Sequence, residues 1–220
     1  MTITIDNNLK EKLPNYNPIG YIIEFNDDYF VNEKSIEVSN LINNISSKLK
    51  ENYNYEEITT ISKLKETRDA YKTLGKDPSH TKPACESLIR RILKGNDLYR
   101  LGDVIDLGNV LSIETMRSVC VVDLDKVVGN VNITYSTSEI NYEGIGRGLI
   151  NAKNLITYKD DLGIFGSPTS DTLRTMVTNN THKILIMIMC FSCLDKEQDE
   201  QLLLELYNKY TKIKRIEKIN

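Results

Sequence analysis

An unbroken apolar run, Ile184-Leu-Ile-Met-Ile-Met-Cys-Phe191, sets the first limit on how this chain can fold. It falls far short of the roughly 18 residues that suggest a membrane span, and its length suits a buried strand. Such a strand needs cover on its faces. Ile36, Val38, Leu41, Ile42, Ile45 and Leu49 fall at helical spacing and offer one covering helix. A second helix is predicted from about Ile58 to Thr73, ending at the Leu74-Gly-Lys-Asp-Pro78 breaker. Pro83 suits the first turn of a third, in which Cys85, Leu88, Ile89 and Ile92 make one apolar face before Gly95 ends it. A fourth is read over Leu98 to Ile113, with Leu101, Val104, Ile105 and Gly108 on its inner side.

Strand-like segments are Thr2 to Ile5, Tyr21 to Phe25, Ser118 to Val122, Val127 to Ile133, Asn154 to Tyr158 and Lys183 to Phe191. Turn formers at Asn7-Asn8, Pro14, Pro18-Ile-Gly20, Gly144-Ile-Gly-Arg-Gly148 and Gly166-Ser-Pro168 separate them. Asp195 is read as the cap of a last helix, acidic at Glu197, Asp199 and Glu200. Its basic end would carry Lys209, Lys212, Lys214, Arg215 and Lys218, a polarity that matches the helix dipole. Helices and strands come in blocks rather than in βαβ alternation. The expected class is therefore α+β, one domain with helices against a mixed or antiparallel sheet.

With 40% hydrophobic and 27% charged residues the chain is neither disordered nor a mini-protein. Its 28 Lys and Arg against 31 Asp and Glu mean that any nucleic-acid contact must come from a local basic patch. The start, Met-Thr-Ile-Thr-Ile-Asp, resembles no secretory signal, which points to the cytoplasm, no membrane association and reduced cysteines.

Catalytic patterns are sparse. His80 and His182 have no second ligand at metal spacing, so no metal is expected. Cys190-Phe-Ser-Cys193 has redox spacing without the βαβ context of a redox motif, and buried strand-end thiols are the plainer reading. Gly144 to Gly148 is neither a phosphate-binding loop nor a dinucleotide fingerprint, and no nucleophile elbow occurs. No cofactor is expected. Asp123-Leu-Asp-Lys126 is either a paired-acid site or a turn in which Asp125 binds backbone amides.

Lys82, Arg90, Arg91 and Lys94 can meet phosphates, though the same pattern also describes a solvated helix face. Phe165 to Thr178 gathers hydroxyl, carboxylate and guanidinium groups after a Gly-Pro turn, either to orient a small polar ligand or as a connector with an Arg-Asp brace.

Arg68-Asp-Ala-Tyr-Lys72, Gly75-Lys-Asp-Pro-Ser79, Glu86-Ser-Leu-Ile-Arg-Arg-Ile-Leu-Lys-Gly95, Asp106-Leu-Gly-Asn109 and Asp123-Leu-Asp-Lys-Val-Val-Gly129 together resemble a known family. It is the B3/B4 tRNA-editing module of the bacterial phenylalanyl-tRNA synthetase beta chain, in free-standing form. The likeness runs from about Lys65 to Phe191 and implies a core of residues 61–220 with residues 1–60 as an N-terminal elaboration packed on it.

It further implies a pocket that takes the aminoacylated end of a tRNA and hydrolyses a wrongly attached amino acid such as tyrosine. A non-catalytic module binding tRNA or a free amino acid is the alternative. Docking to a synthetase cannot be read from the chain. Within this resemblance the pocket candidates are Asn109, Glu143, Thr169, Asp171, Arg174 and Thr175, then His80 and Glu86, in a cleft walled by Ser167 to Thr178. Lys82, Arg90, Arg91 and Lys94 are placed near phosphates. Where the synthetase modules commonly carry a tryptophan-containing segment, this chain has Gly166-Ser-Pro-Thr-Ser-Asp171 and no Trp, which implies a different pocket floor.

Overall fold

The computed structural model describes residues 1–219. Its strands are β1 Ile3–Ile5, β2 Ile19–Phe25, β3 Val119–Asp123, β4 Val131–Tyr135, β5 Asn141–Gly144, β6 Gly148–Asn151, β7 Ile156–Asp160, β8 Gly163–Gly166, β9 Lys183–Ile188 and β10 Ile213–Ile219. Its helices are α1 Asn7–Lys12, α2 Ile36–Asn52, α3 Ser62–Thr73, α4 Ala84–Leu93, α5 Asp103–Thr115 and α6 Lys196–Tyr210.

Two four-stranded sheets lie at the centre. The first, in the order β10-β2-β9-β3, is antiparallel throughout; the second, β1-β4-β7-β8, joins β1 to β4 in parallel and is otherwise antiparallel. The class is thus α+β with mixed sheets in one compact unit, as the block order of the elements requires.

The apolar run explains the layering. Ile184, Ile186 and Ile188 on one face of β9 pack with Val38, Ile42, Ile45, Ile89, Val104 and Leu107 of the helical layer. Leu185, Met187 and Met189 face the other way, against Ile133, Ile156, Tyr158 and Phe165 of the second sheet. A strand enclosed on both sides has no place for a polar residue, hence the continuous run. Gly108 lets α5 approach the first sheet: a Cβ there would stand 2.6 Å from Val121 Cγ2.

Several boundaries differ from the sequence reading. The helix expected from Leu98 begins only at Asp103. Gly102, at φ 137°, turns the chain against Asn32, and Leu101, expected to face inward, is exposed. Asn7 and Asn8, read as a turn, open α1, where the Asp6 carboxylate accepts from Asn8 N–H. Leu124–Lys126 forms a 3-10 turn, so β4 starts at Val131 rather than Val127. Gly144 to Gly148, read as a separator, closes a β5–β6 hairpin whose glycines 146 and 148 adopt φ 65° and 66°.

Of the basic C-terminal residues only Lys209 lies in the last turn of α6, and those from Lys212 onward fall beyond the helix. Residues from Ile213 form edge strand β10, whose cations pair with acids: Lys214 with Glu24, Arg215 with Glu217 and Lys218 with Glu200. Asp195 does precede α6, but its carboxylate pairs with Lys63 and does not cap the helix.

Candidate functional site

After β8 the chain folds Gly166-Ser-Pro-Thr-Ser-Asp171 into a tight turn built on one hydroxyl. Ser167 Oγ accepts from Thr169 N–H at 3.1 Å and Ser170 N–H at 3.3 Å. Tyr142, reaching inward from β5, places its hydroxyl 2.6 Å from Ser167 Oγ and donates to the Ser170 carbonyl at 2.9 Å. Tyr71 of α3 meets Thr169 Oγ1 at 2.9 Å. Ala84 N–H, at the start of α4, donates to the Pro168 carbonyl at 2.8 Å. From the hairpin tip, Arg147 Nη2 donates to Ser87 Oγ at 3.0 Å. α3, α4, β5 and the turn thus converge on a seam of hydroxyls, most of it buried, with Ser170 and Asp171 partly exposed at its edge.

Asp171 is the titratable member. It forms an isolated antiparallel bridge with Gly166, and its carboxylate lies over that glycine, where a Cβ would collide with it. Although the residue as a whole is partly exposed, its carboxyl is turned inward towards Cys120 and Val121, and burial there pushes it up to about 7 against a smaller opposing pull from the Cys120 thiol and Val121 N–H. The hydroxyl of Tyr158, buried nearby, has no hydrogen-bond partner, and burial raises it well above the ordinary tyrosine range.

The remaining pocket candidates separate. Thr175 is fully buried, with Thr172 Oγ1 and the Phe165 carbonyl each at 3.4 Å. Arg174 turns away from Asp171 and closes on Asp160, so the brace within the segment is not made there. Glu143 is exposed on the face of β5 opposite Tyr142. Asn109 sits half-buried on α5, a helix packed on α2, α4, α6 and β3. His80 is exposed, its Nδ1 2.8 Å from Asp77. Glu86 is fully buried between Arg68 and Arg90, in an ion cluster that ties α3 to α4.

In the segment 167–178, expected to wall a cleft, the hydroxyls of Ser167, Thr169 and Thr175 are taken up within the fold by Tyr142, Tyr71 and the Phe165 carbonyl. Clefts of about 260 and 250 Å³ are lined by other residues, the first by Asn17, Gly20, Lys196 and Lys218, the second by Leu13, Glu66, Asp69 and Phe191.

Of the basic residues, Lys82 donates to the Ser79 carbonyl and Arg90 to Glu86. Arg91 donates to the Asp97 carbonyl and lies over the Tyr99 ring, and Lys94 lies over Tyr55. Asp123 and Asp125 make a turn: Asp123, not Asp125, accepts the backbone N–H, and it also takes the Thr181 hydroxyl at 2.7 Å. Cys190 is buried, burial pushing its thiol up to about 11, whereas Cys193 is exposed. Among the described residues no cluster of His, Cys, Asp or Glu could hold a metal ion, and no helix is long and apolar enough to cross a membrane.

Sequence reasoning missed Tyr71, Tyr142, Arg147 and Cys120. The available signal was the excess of tyrosine, twelve residues against four Phe.

The B3/4 domain matches residues 66–202, and the chain belongs to that family. Among solved structures, an N-terminal fragment of the phenylalanyl-tRNA synthetase beta-subunit from Pyrococcus horikoshii shares the fold, with a TM-score of 0.50 at 11% identity. The alignment covers 95% of this chain and 48% of that fragment, so the chain spans about half its length. No curated protein matches the chain.

Proposed function

We propose that this protein binds the 3′ end of an aminoacyl-tRNA in the cytoplasm and hydrolyses the ester of a wrongly attached amino acid. In this reading residues 1–60 elaborate a B3/B4 core of residues 61–220. Family membership and the likeness to a synthetase beta-subunit fragment support the substrate class.

The observation that carries the chemistry is Asp171. A carboxyl at about 7 is poised to take a proton near neutrality. Water attacks the ester carbonyl while Asp171 accepts its proton; the bond to the ribose oxygen then breaks and that oxygen is reprotonated, which releases amino acid and tRNA. The ester is already activated, so no covalent nucleophile is required. The β5–β6 hairpin runs past this turn, with Ile145 N–H donating to the Asp171 carbonyl at 2.9 Å and Arg147 tied to α4 through Ser87.

A second reading, binding of tRNA or a free amino acid without chemistry, is favoured by one fact. The hydroxyls of Ser167, Thr169 and Thr175 already have partners inside the fold, leaving few groups to hold a water. Incubation with a panel of mischarged tRNAs separates the two. Release of an amino acid by the wild type and its loss in Asp171→Asn supports hydrolysis; tight binding with every ester intact supports the second reading.

A further inference from the structure

The last turn of α4 and the residue that ends it carry three cations, Arg90, Arg91 and Lys94, and each lies over an aromatic ring from another part of the chain. The Arg91 guanidinium is 3.9 Å from the Tyr99 ring centroid. Arg90 and Lys94 stand 4.7 and 5.3 Å from that of Tyr55. Arg91 is further fixed by the bond from its Nε to the Asp97 carbonyl at 2.6 Å. Tyr99 nonetheless remains 67% exposed. The neighbouring Arg90 and then Lys94 cations pull the Tyr55 phenol below its ordinary range.

Exposed cation–ring pairs contribute little to folding. What they do is present two ordered rings beside positive charge. Arg90 is neutralised by buried Glu86, but neither Arg91 nor Lys94 pairs with a carboxylate among the described residues. An acidic peptide would use the cations and leave the rings idle. A duplex would offer phosphates and hide its base faces. A single strand offers both, since bases stack on rings while phosphates meet cations.

We infer that this surface binds a single-stranded segment of RNA, with bases stacked on Tyr55 and Tyr99 and phosphates against Arg91 and Lys94. The inference deepens the tRNA reading above and rests on it.

The test is equilibrium binding of the full chain to a labelled unstructured oligouridine and to an RNA duplex of equal length, over a range of salt. The single strand is expected to bind more tightly than the duplex. Tyr99→Ala and Tyr55→Ala each weaken it on the order of tenfold, whereas Tyr99→Phe binds as the wild type does. Arg91→Gln lowers the salt slope by about one. Melting temperatures of these variants stay at the wild-type value, because neither ring belongs to the core.

Equal affinity for the duplex, or alanine variants that bind like the wild type, overturns the stacking surface and leaves the tRNA reading standing. Binding of neither RNA by the wild type removes both.

Discussion

Arg174 grips Asp160 with both prongs of its guanidinium, Nη1 and Nη2 each standing 2.9 Å from a carboxylate oxygen. The Asp160 side chain has no exposed surface and also accepts from Val128 N–H and Leu162 N–H, each at 3.0 Å. The pair therefore closes the β7–β8 turn onto the segment that follows β8, and the guanidinium is not available to a ligand at Asp171.

Arg174→Ala is accordingly expected to cost about 2 kcal/mol of stability, the usual scale for hydrogen bonds to a charged group, and to leave ester hydrolysis unchanged. Denaturant titration beside a deacylation assay checks both. Burial alone would raise the Asp160 carboxyl, but Arg174 and the two N–H groups outweigh it and hold it below its ordinary 3.8. The contribution is thus present above that pH and fades as the pH falls below it.

Glu86 is the counter-ion of Arg68 at 2.8 Å and Arg90 at 2.8 Å, and ties α3 to α4. Its replacement by alanine leaves two partly buried guanidinium groups without a carboxylate. A loss of about 3–5 kcal/mol follows, the scale for breaking a buried pair. Thermal unfolding of Glu86→Ala reads it directly; a melting temperature equal to wild type would show the cluster to be dispensable.

Local pattern made the layers legible and long-range pairing hid the site. The periodicity of Val38, Ile42, Ile45 and Leu49 marks α2, and that of Cys85, Ile89 and Ile92 marks α4, because burial on one face is a local signal. β10 was not legible: Lys212, Lys214, Arg215 and Lys218 suit a helix end as well as an edge strand, and what decides is pairing with β2, far away in sequence. The same holds for the seam. Thr169 and Asp171 stand out in the chain, yet the partner of Thr169 is Tyr71 and that of Ser167 is Tyr142, and no spacing rule connects them. Arg174 had a nearby acid in Asp171 and took Asp160 on the preceding turn instead.

Gly166 makes room for the Asp171 carboxylate, and a Cβ there would also stand 3.0 Å from Tyr158 Cδ2. Gly166→Ala should displace the carboxylate and cost about 1–3 kcal/mol through overpacking. Loss of hydrolysis in a variant that still folds, judged by circular dichroism, is the expected result.

Asp171 makes stability depend on pH in the direction opposite to Asp160. The folded protein keeps this carboxyl protonated up to about 7, whereas its ordinary value is 3.8. Stability is therefore greatest below the ordinary value, falls as the pH rises towards 7, and levels off above. Asp171→Asn removes that dependence. Its melting temperature relative to wild type should climb through this window and then stay constant, as paired unfolding scans across the range would show.

The deacylation rate of a mischarged-tRNA panel, measured against pH for wild type, Asp171→Asn and Arg174→Ala, tests the central claim most directly. Release of one amino acid by the wild type at a rate rising through about pH 7, a loss of about a hundredfold or more in Asp171→Asn, and a normal profile in Arg174→Ala are expected. A panel left intact by the wild type, or an Asp171→Asn protein as fast as its parent, would contradict it.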